Sequence, residues 1–423
     1  MLFSIIIKPI IIIIRIGEIM KNYKKILVIL LLIVILTGCT SKKNDFPKDD
    51  VKPDTRTELE KKVDSTLEGM TLDEKIGQML MIFYRKDTVD STLESALKDV
   101  KPGGFILFKE NISTYDKTLN FIKTVKNSSS IPMFISIDQE GGNVQRLLAL
   151  QDMSVSNIPY MYDVGLKNDE NLASDVGKVI AEELRVFGIN MDFAPDIDVY
   201  SNKDNKVIGK RSFGTNSDIV SRLGISLGNS LSKNGVIPVY KHFPGHGNTA
   251  TDSHVSLPIV DKTKEELYSL DLIPFQKAIE ENAPVIMVGH LAVPSITGDN
   301  TPASISKALI TDFLKGEMGY KGLVVTDALN MNALTNYYSQ DEIYVKAVEA
   351  GVDILLMPSS SRNALNSVKK AVEDGRITEE RINESVKKIL TLKYEKIEKN
   401  YNEYLPSSYL NSKDHQEILK KVK

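Results

Sequence analysis

Eight short apolar runs alternate with segments of helical periodicity, and this predicts an α/β fold, a (β/α)8 TIM-type barrel in a single domain. Two further observations favour a barrel over an open sheet. The alternation extends over roughly 350 residues, the span that eight βα units with some enlarged loops require. The first run, Leu80–Phe83, continues into Tyr84-Arg85-Lys86-Asp87 without a glycine, whereas a doubly wound sheet would carry a glycine fingerprint there.

Residues 1–38 read as an export signal. Lys21, Lys24 and Lys25 precede an apolar run from Ile26 to Leu36, which is too short to span a bilayer comfortably and ends in Leu36-Thr37-Gly38-Cys39. Residues 1–19 are Ile-rich and lie upstream of Met20, a pattern expected of an over-extended start. The Leu-Thr-Gly-Cys run resembles the lipobox of bacterial lipoproteins, which implies removal of the signal and lipidation of Cys39. Cys39 is the chain's single cysteine, so an intramolecular disulfide is excluded. A polar, proline-containing stretch completes 39–56 as a tether. The expected location is the outer face of the cell membrane, with the membrane touched through the lipid anchor only.

Residues 57–400 hold the barrel. The expected strands are Leu80–Phe83, Gly104–Leu107, Met133–Ile137, Asn190–Phe193, Val236–Tyr240, Val285–Val288, Gly322–Val325 and Asp353–Leu356. The clearest helix places Leu172, Val176, Val179, Leu184 and Phe187 on one face. Further helices are expected over 114–126, 216–232, 305–317, 341–350, 361–374 and 378–397. Residues 401–423 are expected as a C-terminal tail, too short for a second domain. The charge balance, 53 Lys+Arg against 56 Asp+Glu, gives no reason to expect nucleic acid as a partner.

In a barrel of this kind the site lies at the C-terminal ends of the strands. Strand three would empty into Asp138-Gln139-Glu140-Gly141-Gly142, strand four into Asp196, strand five into Lys241-His242, strand six into Gly289-His290 and strand seven into Asp327. After strand five, three of the chain's five histidines fall within thirteen positions, and the loop closes with Asp252-Ser253-His254. In an extended segment Asp252 and His254 leave the chain on the same side, so the carboxylate can orient the imidazole. Taken singly these residues have plain explanations. Asp327 and Asp138 could cap helices, Gly141-Gly142 could only turn the chain, and an isolated D-x-H is more often structural or metal-binding. Their convergence on one rim favours a hydroxyl-rich substrate such as a sugar. Cleaving a glycosidic bond needs a carboxylate at the anomeric carbon and a proton donor for the leaving oxygen. Asp327 is the best-placed carboxylate; the donor is either another carboxyl or His254 backed by Asp252.

Lys241-His242-Phe243-Pro244-Gly245-His246-Gly247 through Asp252-Ser253-His254 resembles the signature of family 3 glycoside hydrolases of the β-N-acetylglucosaminidase (β-N-acetylhexosaminidase) type. Asp138 to Gly142, Ile208 to Gly214 and Val324 to Met331 are similar to that family's other motifs, in its order, and the likeness covers about 57–400. The resemblance implies a retaining mechanism and exo-action on terminal N-acetylglucosamine, without cofactor or metal. It implies Asp327 as nucleophile, His254 as acid/base, Asp252 as its orienting partner, and Asp138, Arg146, Arg211, Lys241 and His242 as sugar-binding residues. Two positions depart from the pattern: Asn143, where Arg is expected, and Asn248, often Asp. An exported member fits work on N-acetylglucosaminides such as muropeptides. Three rivals remain open at this stage. One is a phosphorylase on the same scaffold, another a metal-dependent hydrolase using His242, His246, His254 and His290. The third is a non-catalytic sugar-binding lipoprotein, and hydrolysis assisted by the substrate's own acetamido group is a further alternative in mechanism.

Overall fold

The computed structural model describes residues 55–249 and 256–423. Residues 1–38, expected as an export signal, and Cys39 lie outside the described residues. Among the described residues no helix is long and apolar enough to cross a membrane.

Each apolar run becomes a buried strand. These are β1 Leu80–Phe83, β2 Gly104–Leu107, β3 Phe134–Ile137, β4 Met191–Asp192, β5 Ile237–Phe243, β6 Val285–Val288, β7 Leu323–Thr326 and β8 Leu355–Leu356. They pair in the order β8-β1-β2-β3-β4-β5-β6-β7, every neighbour parallel. The ring closes where Val325 bridges Ile354 in parallel, with the Thr326 N–H donating to the Ile354 carbonyl at 3.1 Å. A strand covered on both faces shows little polar–apolar alternation, which is why most of these segments read as apolar runs, with Ser136, Asp192, Lys241 and His242 as buried exceptions. The fold is a (β/α)8 barrel.

The outer helices are held by ordinary amphipathic burial. In Glu170–Val186 the Asp169 carboxylate caps the first turn, accepting from Asn171 N–H at 2.9 Å and Leu172 N–H at 3.3 Å. The buried face carries Leu172, Val176, Val179, Ile180 and Leu184, each worth about 1.5–3 kcal/mol relative to an exposed position. This helix packs against Ser217–Lys233 closely enough that a Cβ on Gly177 would stand 2.7 Å from the Leu227 carbonyl oxygen, and the Ser230 hydroxyl donates to the Ser174 carbonyl at 2.6 Å.

Several elements differ from the sequence expectation. Helices Glu58–Glu68, Leu72–Gln78 and Ser91–Val100 precede or follow β1 without having been expected. The first two open on capping boxes, Thr57 with Glu60 and Thr71 with Glu74. The segment expected as an α-helix over 305–317 is a π-helix, Ala308–Glu317, whose buried residues Leu309, Ile310, Phe313 and Leu314 suit either winding. Residues 401–423 are not a loose tail. They pack onto Glu170–Val186 through helix Lys413–Lys420, whose His415 is buried between Glu182 and Glu183.

Candidate active site

The site starts where β3 runs out. Asp138 follows Ile137, and a short antiparallel hairpin, Gln139–Gly141 with Val144–Gln145, folds the chain back. The turn needs glycine. Gly141 and Gly142 sit at φ +111° and +55°, and a Cβ on Gly142 would come within 2.2 Å of the Tyr160 ring. The Gln145 side chain then locks the hairpin, accepting from Ile158 N–H at 2.8 Å and donating to the Gly142 carbonyl at 2.8 Å. This returns Arg146 over Asp138, where its Nη2 donates to Oδ2 at 3.1 Å.

β5 supplies the second group. Lys241 is buried, and its Nζ donates to Asp138 Oδ1 at 3.3 Å and pairs with Glu140. Arg211, from the 3-10 turn Gly209–Arg211, grips Glu140 in a two-pronged pair, Nε to Oε2 at 2.7 Å and Nη2 to Oε1 at 2.8 Å. Burial pushes the Glu140 carboxyl up, but Arg211 and Lys241 outweigh it and hold the group well below the usual carboxylate range.

His242 lies between an acceptor and a donor. Its Nδ1 is 2.7 Å from Asp198 Oδ2, and its Nε2 is 3.4 Å from Arg211 Nη2. A guanidinium only donates, so Nε2 accepts and Nδ1 carries the proton toward Asp198. Burial, reinforced by Arg211, lowers His242 to about 4, which keeps the ring neutral near pH 7. Asp198 also accepts the His246 backbone N–H at 2.6 Å. Burial, helped by the charge of Asp198, pushes neighbouring Asp196 up to about 7.

Asp327 follows β7 directly. Its N–H donates to the Val288 carbonyl at 2.9 Å and its Oδ1 accepts from Ala328 N–H at 2.7 Å. Burial pushes its carboxyl up, but His290, His242, the Ala328 N–H and Lys241 prevail, and it is held below the ordinary value. It is therefore ionised at neutral pH. It caps no helix, since the next one, Asn332–Thr335, begins after Met331.

Asp138, Arg146, Arg211, Lys241, His242 and Asp327 line one cavity of about 260 Å3 at the C-terminal ends of the strands. Asp252 and His254 lie outside the described residues. Asn143 accepts the Tyr160 hydroxyl at 2.6 Å, and the Asn248 carbonyl accepts from Asn202 Nδ2 at 3.2 Å. The sequence reading gave no role to Glu140 and Asp196 and passed over Asp198. The Asp196-x-Asp198 spacing was the available signal, the same two-residue offset as Asp252 and His254. Asp196, Asp198 and His242 also form the one buried group of metal-ligating type among the described residues. There the Asp198–His242 hydrogen bond uses two of the donor atoms, and Arg211 Nη2 brings positive charge to 3.5 Å from Asp196 Oδ2.

Against known proteins, the family described as "Glycosyl hydrolase family 3 N terminal domain" matches residues 71–392. The chain belongs to glycoside hydrolase family 3. This family 3 chain is 33% identical over 313 residues to beta-hexosaminidase A of Pseudoalteromonas piscicida, a match covering 69% of this chain and 52% of that protein. It is 32% identical over 280 residues to beta-hexosaminidase LpqI of Mycobacterium tuberculosis, covering 64% and 70% respectively. A solved family 3 beta-N-acetylglucosaminidase from Paenibacillus superposes with a TM-score of 0.78 at 35% identity, covering 84% of this chain and 68% of that one. The family 3 chain thus spans about half the length of the first of these relatives and about two thirds of the other two.

Proposed function

We propose that this family 3 barrel is a retaining exo-β-N-acetylglucosaminidase that releases terminal N-acetylglucosamine, with peptidoglycan fragments as its substrates. One observation carries the reading: an ionised Asp327 shares a cavity of about 260 Å3 with hydrogen-bonding groups that suit a single sugar ring. Asp138 accepts from sugar hydroxyls while Arg146, Arg211 and Lys241 donate. His242, kept neutral, adds a ring edge without repelling the cations beside it. Asp327 attacks the anomeric carbon and forms a glycosyl ester as the bond to the leaving oxygen breaks. His254, oriented by Asp252, protonates that oxygen and then takes a proton from the incoming water, which releases the sugar and frees the carboxylate. A cavity of this size takes one ring and leaves the rest of the glycan outside, which suits cleavage from the chain end.

The histidine donor suits an anionic leaving group. Muropeptides carry carboxylates close to the scissile bond, and an imidazole avoids the repulsion that a glutamate would meet there. Full activity of His254→Glu on muropeptides would remove this argument.

The test is turnover of a chromogenic N-acetyl-β-glucosaminide with and without phosphate. Asp327→Asn is expected to lose at least about 10³-fold in kcat, and wild-type turnover is expected not to depend on phosphate. A covalent adduct trapped on Asp327 supports the two-step route. An unaffected Asp327→Asn enzyme overturns it, and a rate that requires phosphate makes the protein a phosphorylase.

A further inference from the structure

We propose that His290 is a positioning residue for Asp327, acting through a hydrogen-bonded chain from Ser304 to the Ala328 carbonyl that fixes the peptide after the nucleophile. The inference rests on the reading of Asp327 as nucleophile and adds to it a residue that stands outside the sugar cavity.

His290 stands two residues past the end of β6 and is fully buried. Both ring nitrogens are engaged. Nε2 is 2.9 Å from the Ala328 carbonyl oxygen and Nδ1 is 2.7 Å from Ser304 Oγ. A carbonyl can only accept, so Nε2 carries a proton. The Ser304 hydroxyl meets Nδ1 and can donate to a neutral ring or accept from a charged one. In either state Ser304 holds the ring so that the Nε2 N–H points at Ala328.

The Ala328 carbonyl belongs to the peptide joined to Leu329, and that peptide is held from its other side as well. The Leu329 N–H donates to the Leu356 carbonyl at 2.9 Å, at the end of β8. One step earlier, Ala328 N–H donates to Asp327 Oδ1 at 2.7 Å, and Asp327 N–H donates to the Val288 carbonyl at 2.9 Å. The strand-end turn carrying the nucleophile is therefore held at four polar groups, one of them bonded to β6 and one to β8. Three of these ties are made to backbone or to Asp327 itself. The tie at the Ala328 carbonyl is the one made by another side chain.

Its loss would let the Ala328 peptide rotate and the N–H that aims Asp327 Oδ1 swing with it. The sugar would still be held by Asp138, Arg146, Arg211 and Lys241. Attack geometry should suffer while binding does not. Displacements of about 1 Å at a reacting group can cost about 10²-fold in rate.

The experiment compares wild type with His290→Leu, His290→Gln and Ser304→Ala in the full chain, measuring kcat and KM on an aryl N-acetyl-β-glucosaminide. His290→Leu is expected to lower kcat by about 10²-fold with KM within about threefold of wild type. His290→Gln, whose amide N–H reaches toward the same carbonyl, is expected to recover about tenfold of that loss, and Ser304→Ala to lower kcat by about threefold to tenfold. Ser304→Ala removes one hydroxyl only and keeps the outcome readable should the leucine variant fail to fold. Gln no better than Leu, KM rising while kcat holds, or Ser304→Ala at the wild-type kcat would each overturn the proposal. A wild type that turns over no N-acetylglucosaminide defeats the nucleophile reading first and the positioning role with it.

Discussion

Asp192 and Asp327 are both strand-end carboxylates in the same barrel, yet their surroundings push them in opposite directions. Asp327 faces imidazoles, a lysine and a backbone N–H, and is held below its ordinary value. Asp192 is fully buried; its Oδ1 accepts the Gln139 N–H at 2.9 Å, and its Oδ2 has no hydrogen-bond partner among the described residues. Burial pushes it up to about 8, with the Gln139 N–H acting the other way. At neutral pH it is therefore a neutral acid in the folded protein and a carboxylate in the unfolded chain. A group raised in this way favours folding most below its unfolded value. Its contribution falls as pH climbs, until the folded value near 8 is passed. Asp192→Asn keeps an acceptor for Gln139 and removes the titration. Urea midpoints measured at pH 5 and pH 8 are expected to show the variant gaining on wild type by a few kcal/mol, since each pH unit in that window is worth about 1.4 kcal/mol. A constant difference between the two pH values would mean that Asp192 is charged in the fold.

At the scale of elements, the C-terminal segment is the clearest case of a part whose attachment depends on ionisation. His415 of helix Lys413–Lys420 is 2.9 Å from Glu182 through Nε2 and 3.3 Å from Glu183 through Nδ1. Glu183 also accepts the Asn411 N–H at 2.7 Å and the Ser156 N–H at 3.0 Å, so one buried carboxylate joins the segment to the loop that supports the hairpin bearing Arg146. Burial pulls His415 down, but its hydrogen bonds to Glu183 and Glu182 prevail and its value is raised. The clasp is thus strongest below the ordinary histidine value of 6.5 and weakens as pH rises through the folded value. Amide exchange over 411–420, corrected for the intrinsic rate at each pH, is expected to show stronger protection at pH 6 than at pH 9. The difference should vanish in His415→Gln. Equal protection of wild type at both values would show that other contacts hold the segment. Nothing in the spacing of residues 401–423 announced this. His415 gains meaning only once Glu182 and Glu183, more than 200 positions away, come alongside.

For the whole molecule, what the sequence made legible follows the range of the interactions involved. The strands were readable because segments buried on both faces are mostly apolar, and β1, β2 and β6 fall at the expected residues. The rim residues were readable because a parallel barrel gathers whatever follows each strand at one end, and Asp138, Lys241, His242 and Asp327 line one cavity there. Glu140 stood within the Asp138–Gly142 stretch without a role of its own, since its importance comes from Arg211, which lies 71 positions away. The same division between local and distant argues a last prediction. Among the described residues, all those lining the cavity fall between Arg85 and Met357, and residues Arg56–Lys423 form a compact unit with its own hydrophobic core. Catalysis should thus be complete in 56–423, with the preceding stretch serving placement alone. A protein spanning 56–423 is expected to match the longer chain in kcat/KM on a soluble N-acetylglucosaminide within about twofold. Matching thermal unfolding with a loss of more than about tenfold in kcat/KM would instead assign the earlier residues a part in the reaction.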